Sequence, residues 1–455
     1  MNTSYDVKFG EIQHRSDRKT AAYIVRWTVA RKPRSKSFRT KGLASSFLSD
    51  LRQAAKAGEV FDVATGLPLP MLAPEPPSGP TFLEFAQTYV LSRWRTSAAR
   101  TRETDVYGLL SLVPALVANL PTRPEDSDMR EVLRSHALLP KDRRGELPRA
   151  LVPVLAWLER ASLPLADLQD PRVARTALDA ISVTFTGKDA AANTVRRKRE
   201  VLHHLIELAV EQKELPANPL HEIKWTPPKA AGAIDPRTVV NPEQARALLA
   251  AAPTVGRTRG GRLHGMFACM YYAALRPEEA AALRRQNCDL PDAGWGLITV
   301  EKARPQANKR WTNSGETHDS RGLKHRAKDD TREIPIPPAL VAILRAHIDR
   351  YGVAGDGCLF RTSKGRPFSS SAYSAVWQEA RRRAFTPEQV ASPLAARPYD
   401  LRHAAVSLWL NAGVPATEVA KRAGHSVDVL LRVYAKCLEG QRGHANSKIS
   451  EALEE

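Results

Sequence analysis

The run Arg397-Pro-Tyr-Asp-Leu-Arg-His-Ala-Ala-Val-Ser-Leu-Trp-Leu-Asn-Ala-Gly413 decides how the rest of the chain is read. Leu401, Ala405, Leu408 and Ala412 recur at steps of four, three and four, which predicts a helix with those four side chains on its inner face. Gly413 suits the left-handed residue that ends such a helix, and Pro415 opens the next one. That second helix runs to Gly424, and a third, N-capped by Ser426, carries Tyr434. Arg402, His425 and Tyr434 therefore fall on, or between, consecutive short helices that can converge on one point.

From Arg402 to His425 is 23 positions, and from His425 to Tyr434 is 9. With Tyr399-Asp400-Leu401-Arg402 and Gly424-His425, these spacings resemble the signature of the tyrosine recombinase (phage integrase) family. The family pattern is a His-x-x-Arg box, a Gly-His pair and a nucleophilic tyrosine; here Tyr399 stands where the family usually has histidine. Upstream, Ala274-Leu-Arg-Pro-Glu-Glu-Ala280 resembles the family's first box, Leu-Arg-x-x-Glu. Pro277 begins a helix there, so Arg276 sits where backbone dipoles favour an anion, and Glu279 is placed to orient it.

Breaking a phosphodiester without a metal needs a nucleophile, positive charge on the non-bridging oxygens, a proton for the leaving 5′-oxygen, and fixed geometry. Arginine suits the second task, because its planar fork bonds two phosphate oxygens and stays charged. Arg276 and Arg402 are the candidates; taken singly, each would read as a surface ion pair. The resemblance implies a lysine as the acid, and Lys328-Asp-Asp-Thr-Arg-Glu-Ile-Pro335 fits it, with Lys328 the first choice and Lys324 the reserve. It also implies Tyr434 as nucleophile, whose ordinary pKa of about 10 requires deprotonation during attack. His425 is placed to hydrogen-bond the phosphate or move protons. Tyr399 can donate to phosphate but is a poor base at pH 7. His403 is a conceivable substitute, although helix geometry is expected to point it elsewhere.

Composition agrees with a nucleic-acid partner. The 455 residues carry 68 Lys plus Arg against 49 Asp plus Glu, a net charge of +19. Four separated cysteines, Cys269, Cys288, Cys358 and Cys437, form no C-x-x-C pair and read as free thiols in a reducing cytoplasm. No apolar run approaches a membrane span, no signal peptide is read, and no phosphate-binding loop or metal motif is present. Asp329-Asp330 reads as a solvated turn.

The fold expected is multidomain and mostly α with small β elements. Residues 1–66 read as a small basic α+β module, with strands at Val7–His14 and Ala21–Val29, a third at Ser37–Thr40, and a helix from Ala44 to Ala57. Its first 60 residues hold 13 Lys plus Arg against 5 Asp plus Glu, hence +8. Residues 67–80, with six prolines, read as an extended linker. Residues 81–215 read as a helical domain. Thr81-Phe-Leu-Glu84 is its capping box, and further helices fall near 104–119, 147–162, 171–182 and Asn193–Gln212. Arg196, Arg197, Lys198 and Arg199, near the start of the last helix, are candidate phosphate contacts or a solvated face. Residues 216–236 form a second linker, and 237–455 a mixed domain with one β-hairpin, Gly296–Val300 and Arg332–Ile336.

The resemblance implies that these units are an arm-binding-like domain, a core-binding domain and a catalytic domain with a C-terminal tail. It implies site-specific recombination of double-stranded DNA at core-type and arm-type sites through a 3′-phosphotyrosyl link, by a homotetramer. It needs no cofactor and no metal, and admits an excision-directing factor as a further partner. The expected location is the cytoplasm, on the nucleoid when DNA is bound. A type IB topoisomerase and an idle DNA-binding protein are the competing readings.

Overall fold

In the computed structural model, residues 3–15, 22–72, 79–229, 232–323 and 330–437, with 446, 450, 451 and 453, are described. Both candidate lysines, Lys324 and Lys328, lie outside them.

The N-terminal sheet is built on Ala22–Val29, which pairs with Lys32–Phe38 along one edge and with Val7–Phe9 and Gln13–Arg15 along the other. The sequence reads Val7–His14 as one strand; it is instead bulged. Four steps from Phe9 to Gln13 lie opposite three from Trp27 to Ile24, so one residue is extra and the ladder breaks. Helix Lys41–Lys56 packs Ala44, Leu48, Leu51 and Ala54 onto Val25, Trp27 and Val29. The proline-rich stretch is not extended throughout, because Leu69–Leu72 makes one helical turn and Leu67 packs on this small core.

The helical region contains Phe82–Trp94, Ala99–Leu112, Asp126–Val132, Val152–Ala161, Pro171–Ser182 and Ala192–Glu211. Thr81 and Glu84 form the capping box, and Phe82, Phe85 and Tyr89 are buried together. Val195, Leu202, Leu205 and Ala209 turn inward from Ala192–Glu211, as their spacing predicts.

C-terminal of this, helices surround a three-stranded antiparallel sheet. The expected hairpin, Gly296–Val300 with Arg332–Ile336, has those bounds and gains Cys288–Asp289 as a third strand. Helix Asp400–Asn411 lies between two cores. Leu401 and Ala404 join the larger one, and Ala405, Val406 and Leu410 join a smaller one that also holds Leu430 and Tyr434. A helix buried on two sides has no single inner stripe. Leu408 is accordingly 37% exposed and Ala412 faces solvent, contrary to the face expected from their spacing.

Between the two long hairpin strands the chain makes an excursion, a finger held by the bridges Ala303–Arg321 and Gln306–His318. Its tip buries Ala307 and Trp311 in the helical core. Arg102 lies 4.5 Å over Trp94 and donates to the Trp311 carbonyl at 2.7 Å and to Asn313 Oδ1 at 2.8 Å.

Candidate active site

The site begins with a buried carboxylate. Pro277 opens the short helix Pro277–Ala280, which brings Glu279 back onto Arg276. Glu279 accepts from the Arg276 backbone N–H at 2.9 Å and from Nη1 at 2.7 Å. It also accepts from Arg332 Nη1 and Nη2, at 3.2 and 2.7 Å. Burial alone would raise the Glu279 pKa, but Arg332, then Arg276 and Arg402, outweigh it and hold the carboxyl at about 2. Burial also opposes the Arg276 charge; Glu279 more than restores it, and the pKa ends above its ordinary value. One carboxylate thus faces two guanidiniums, leaving positive charge over.

Arg332 was not singled out from sequence. It begins strand Arg332–Ile336, whose inward positions are Arg332, Ile334 and Ile336. A charged residue on the core face of an alternating strand is the signal that could have found it. Gly424 closes over this frame. Its φ is 65°, and a Cβ there would run into the Arg332 guanidinium, so the Gly-His pair needs glycine for two separate reasons. The Gly424 carbonyl accepts from Arg276 Nη2 at 2.9 Å.

Arg402 is fully buried. Its Nη1 donates to the Ala274 carbonyl, and its Nη2 donates to the Ala423 carbonyl at 2.5 Å and to His425 Nε2 at 2.8 Å. Burial lowers the Arg402 pKa, with Arg276 adding to the effect. Burial, then Arg402 and Arg276, push His425 down to about 3, so it is neutral at pH 7. With Nε2 accepting, its ring proton sits on Nδ1, which is buried without an acceptor among the described residues.

Tyr434 is 0% exposed at the end of helix Val427–Tyr434, and burial raises its pKa, with Arg402 pulling the other way. Its hydroxyl lies 3.0 Å from His403 Nδ1. The expectation that His403 points elsewhere is therefore wrong. Val427–Tyr434 packs beside Asp400–Asn411 in the smaller core, so the two adjacent positions, Arg402 and His403, both reach the site. Tyr399, four residues before His403, meets its ring edge-on at 5.0 Å.

The basic quartet divides. Arg196 and Arg197 are exposed, whereas Lys198 donates to the Val183 carbonyl at 2.9 Å and Arg199 lies 5.4 Å over Trp225. Among the described residues, His203, Glu207 and His221 are the one group that could approach a metal. The Asn218 amide sits beside two of them, 2.5 Å from Glu207 Oε1 and 3.1 Å from His203 Nδ1. Among the described residues no helix is long and apolar enough to cross a membrane.

Residues 238–440 match the phage integrase family. No curated protein sequence matches the chain. In structure the chain is similar to the Tn1549 transposon integrase in complex with transposon right-end DNA. That match has 15% identity and a TM-score of 0.49, and covers 82% of this chain and 99% of that one. It is also similar to the XerH site-specific recombinase bound to its difH substrate, at 13% identity and TM-score 0.45, covering 81% and 95%. A lambda integrase dimer bound to a core site matches at 12% identity and TM-score 0.46, covering 91% of each chain. Arg276, Glu279, Arg332, Arg402, His403, His425 and Tyr434 all lie within residues 238–440, the part of the chain that matches the phage integrase family.

Proposed function

We propose that the protein is a site-specific DNA recombinase that cuts and rejoins strands through a 3′-phosphotyrosyl intermediate. The observation that carries this reading is the meeting of Arg276, Arg402, His425 and Tyr434 around a frame with positive charge to spare. Tyr434 attacks the scissile phosphorus. Arg276 and Arg402 bind the non-bridging oxygens, where charge grows in the transition state. His425 Nδ1–H is a donor that the substrate-free site leaves unused, and Tyr399 adds a phenol at the rim. Lys328, with Lys324 in reserve, protonates the 5′-oxygen. A 5′-hydroxyl from the partner duplex then reverses the step, so bond energy is conserved.

Arg402 and Tyr434 are both buried in the free protein. DNA entry must therefore shift Val427–Tyr434 and exchange the Ala274 and Ala423 carbonyls for phosphate oxygens. Strand exchange between two duplexes calls for a tetramer. The basic N-terminal module supports a second, arm-type DNA contact, and with it integration or excision of a phage or other mobile element. Arg196 and Arg197 are exposed where phosphates can meet them.

A nicked suicide substrate tests the reading. The 5′-hydroxyl fragment diffuses away, religation fails, and wild-type protein accumulates as a covalent complex. Tyr434→Phe removes one oxygen and is expected to trap none while binding DNA normally. Covalent DNA that persists in Tyr434→Phe and maps to Tyr399 would overturn the assignment of the nucleophile. Relaxation of a plasmid without strand exchange would mark a topoisomerase instead.

A further inference from the structure

We propose that His403 takes the proton from Tyr434 as the tyrosine attacks, in the place that Tyr399 leaves without a base. The inference rests on the recombinase reading above. Its first support is contact: His403 Nδ1 lies 3.0 Å from the Tyr434 hydroxyl, within reach of direct proton transfer.

The second is the state of the other bases. Glu279 is held by two guanidiniums. Asp400, 0% exposed, accepts from the Arg397 backbone N–H at 2.8 Å and from Nη2 at 3.0 Å. His425 Nε2 is taken by Arg402. Tyr399 is itself a phenol, no more basic than the group it would deprotonate. Its ring against His403 makes it a packing partner of the base.

The third is charge. The groups facing His403 are Tyr399 and Arg402 from its own helix region, Arg397 just before it, and His425 and Tyr434 from the neighbouring elements. Burial, then Arg397 and Arg402, keep the imidazole neutral down to about pH 4, so it is an open acceptor at pH 7. With Nδ1 accepting, the ring proton sits on Nε2.

The step balances. The Tyr434 Oη–P bond forms as P–O5′ breaks, the phenolic proton passes to Nδ1, and Lys328 gives a proton to the 5′-oxygen. Religation runs each transfer backwards, with His403 returning its proton to the departing tyrosine. An imidazolium beside two arginines holds that proton weakly, which suits a reaction that must be reversible.

The test uses full-length protein and single-turnover trapping on the nicked duplex between pH 6 and 9. His403→Asn keeps a polar side chain of similar reach, His403→Ala removes it, and DNA affinity is measured for both. Both are expected to bind DNA normally and cleave on the order of 10²–10⁴-fold more slowly, with a steeper rise in rate towards high pH. Trifluorotyrosine at position 434, a far more acidic phenol in the same buried site, should depend much less on a base, so the His403→Ala loss should shrink to a few-fold. Rates for both His403 variants near wild type would overturn the proposal. So would a loss undiminished with the fluorinated tyrosine, because that is a structural effect. A wild-type chain that forms no covalent complex overturns the recombinase reading, and this inference with it.

Discussion

The two halves of the site hold their charges in different ways. Around Arg276, Glu279 and Arg332 a carboxylate locks two guanidiniums in place, in a pocket where Glu279 and Arg332 are 2% and 3% exposed. Around Arg402, His403, His425 and Tyr434 the partners are neutral carbonyls, imidazoles and a phenol. A buried ion pair is expensive to break, whereas a neutral hydrogen bond can be exchanged for one to a phosphate at little net cost. The first half is thus a rigid frame, and the second is the part that can rearrange when DNA arrives.

Glu279→Gln is the strongest way to break this contrast. It leaves the buried Arg332 and the part-buried Arg276 without their carboxylate, and removing one partner of a buried pair typically costs about 3–5 kcal/mol. Urea unfolding should show the fall, with cleavage lost at the same time. Arg402→Ala should instead slow cleavage on the order of a hundredfold or more, with much less loss of stability. Equal stability losses in the two variants would erase the distinction.

Acid separates the halves in a second way. His425 and His403 titrate at about 3 and about 4 in the folded protein, below the ordinary value of about 6.5. In this window the unfolded chain binds more protons, so stability present above about pH 6.5 is lost as pH falls towards 4. Glu279, whose pKa is also lowered, contributes with the same sign in a lower window: its support lasts down to about pH 4.5 and fades as pH falls towards about 2. Thermal unfolding from pH 7 to 4.5 should therefore weaken through the histidines first. His425→Asn and His403→Asn should flatten that slope while Glu279→Gln leaves it unchanged.

The smallest effect belongs to the helix Ala192–Glu211, where the same contrast recurs on the surface. Arg196→Ala should weaken DNA binding evenly across sequences and reduce the salt slope of log K by about 1. Lys198→Ala, whose amine is spent on the Val183 carbonyl, should leave that slope alone. Fluorescence anisotropy across a salt series would decide it.

What the sequence revealed followed from the range over which each element is determined. Pro171–Ser182 and the two long hairpin strands carry their own start signals and periodicity, and they appear where expected. Arg402, His425 and Tyr434 were legible because fixed spacings join short helices. Three features were not. His403 reaches Tyr434 through the packing of one helix on another, which no local rule about helix faces contains. Leu408 is exposed because its helix is buried on two sides. Arg332 gains its meaning only when Glu279, 53 residues away in sequence, closes on it.

The finger at Trp311 bears on how far the protein can be taken apart. Read as sequence, the chain looks like a string of separable modules joined by proline-rich linkers. The folded chain has a second joint: Trp311, 2% exposed, and Thr312, 0% exposed, sit in a socket made by the helical region, with Arg102 clasping the backbone. A fragment that starts after the second linker would carry a bare tryptophan, and one that ends before it would carry an empty socket around a half-stripped arginine. Severed halves should be poorly soluble alone and should recover when mixed. The intact chain should melt its two larger units together, as one cooperative body.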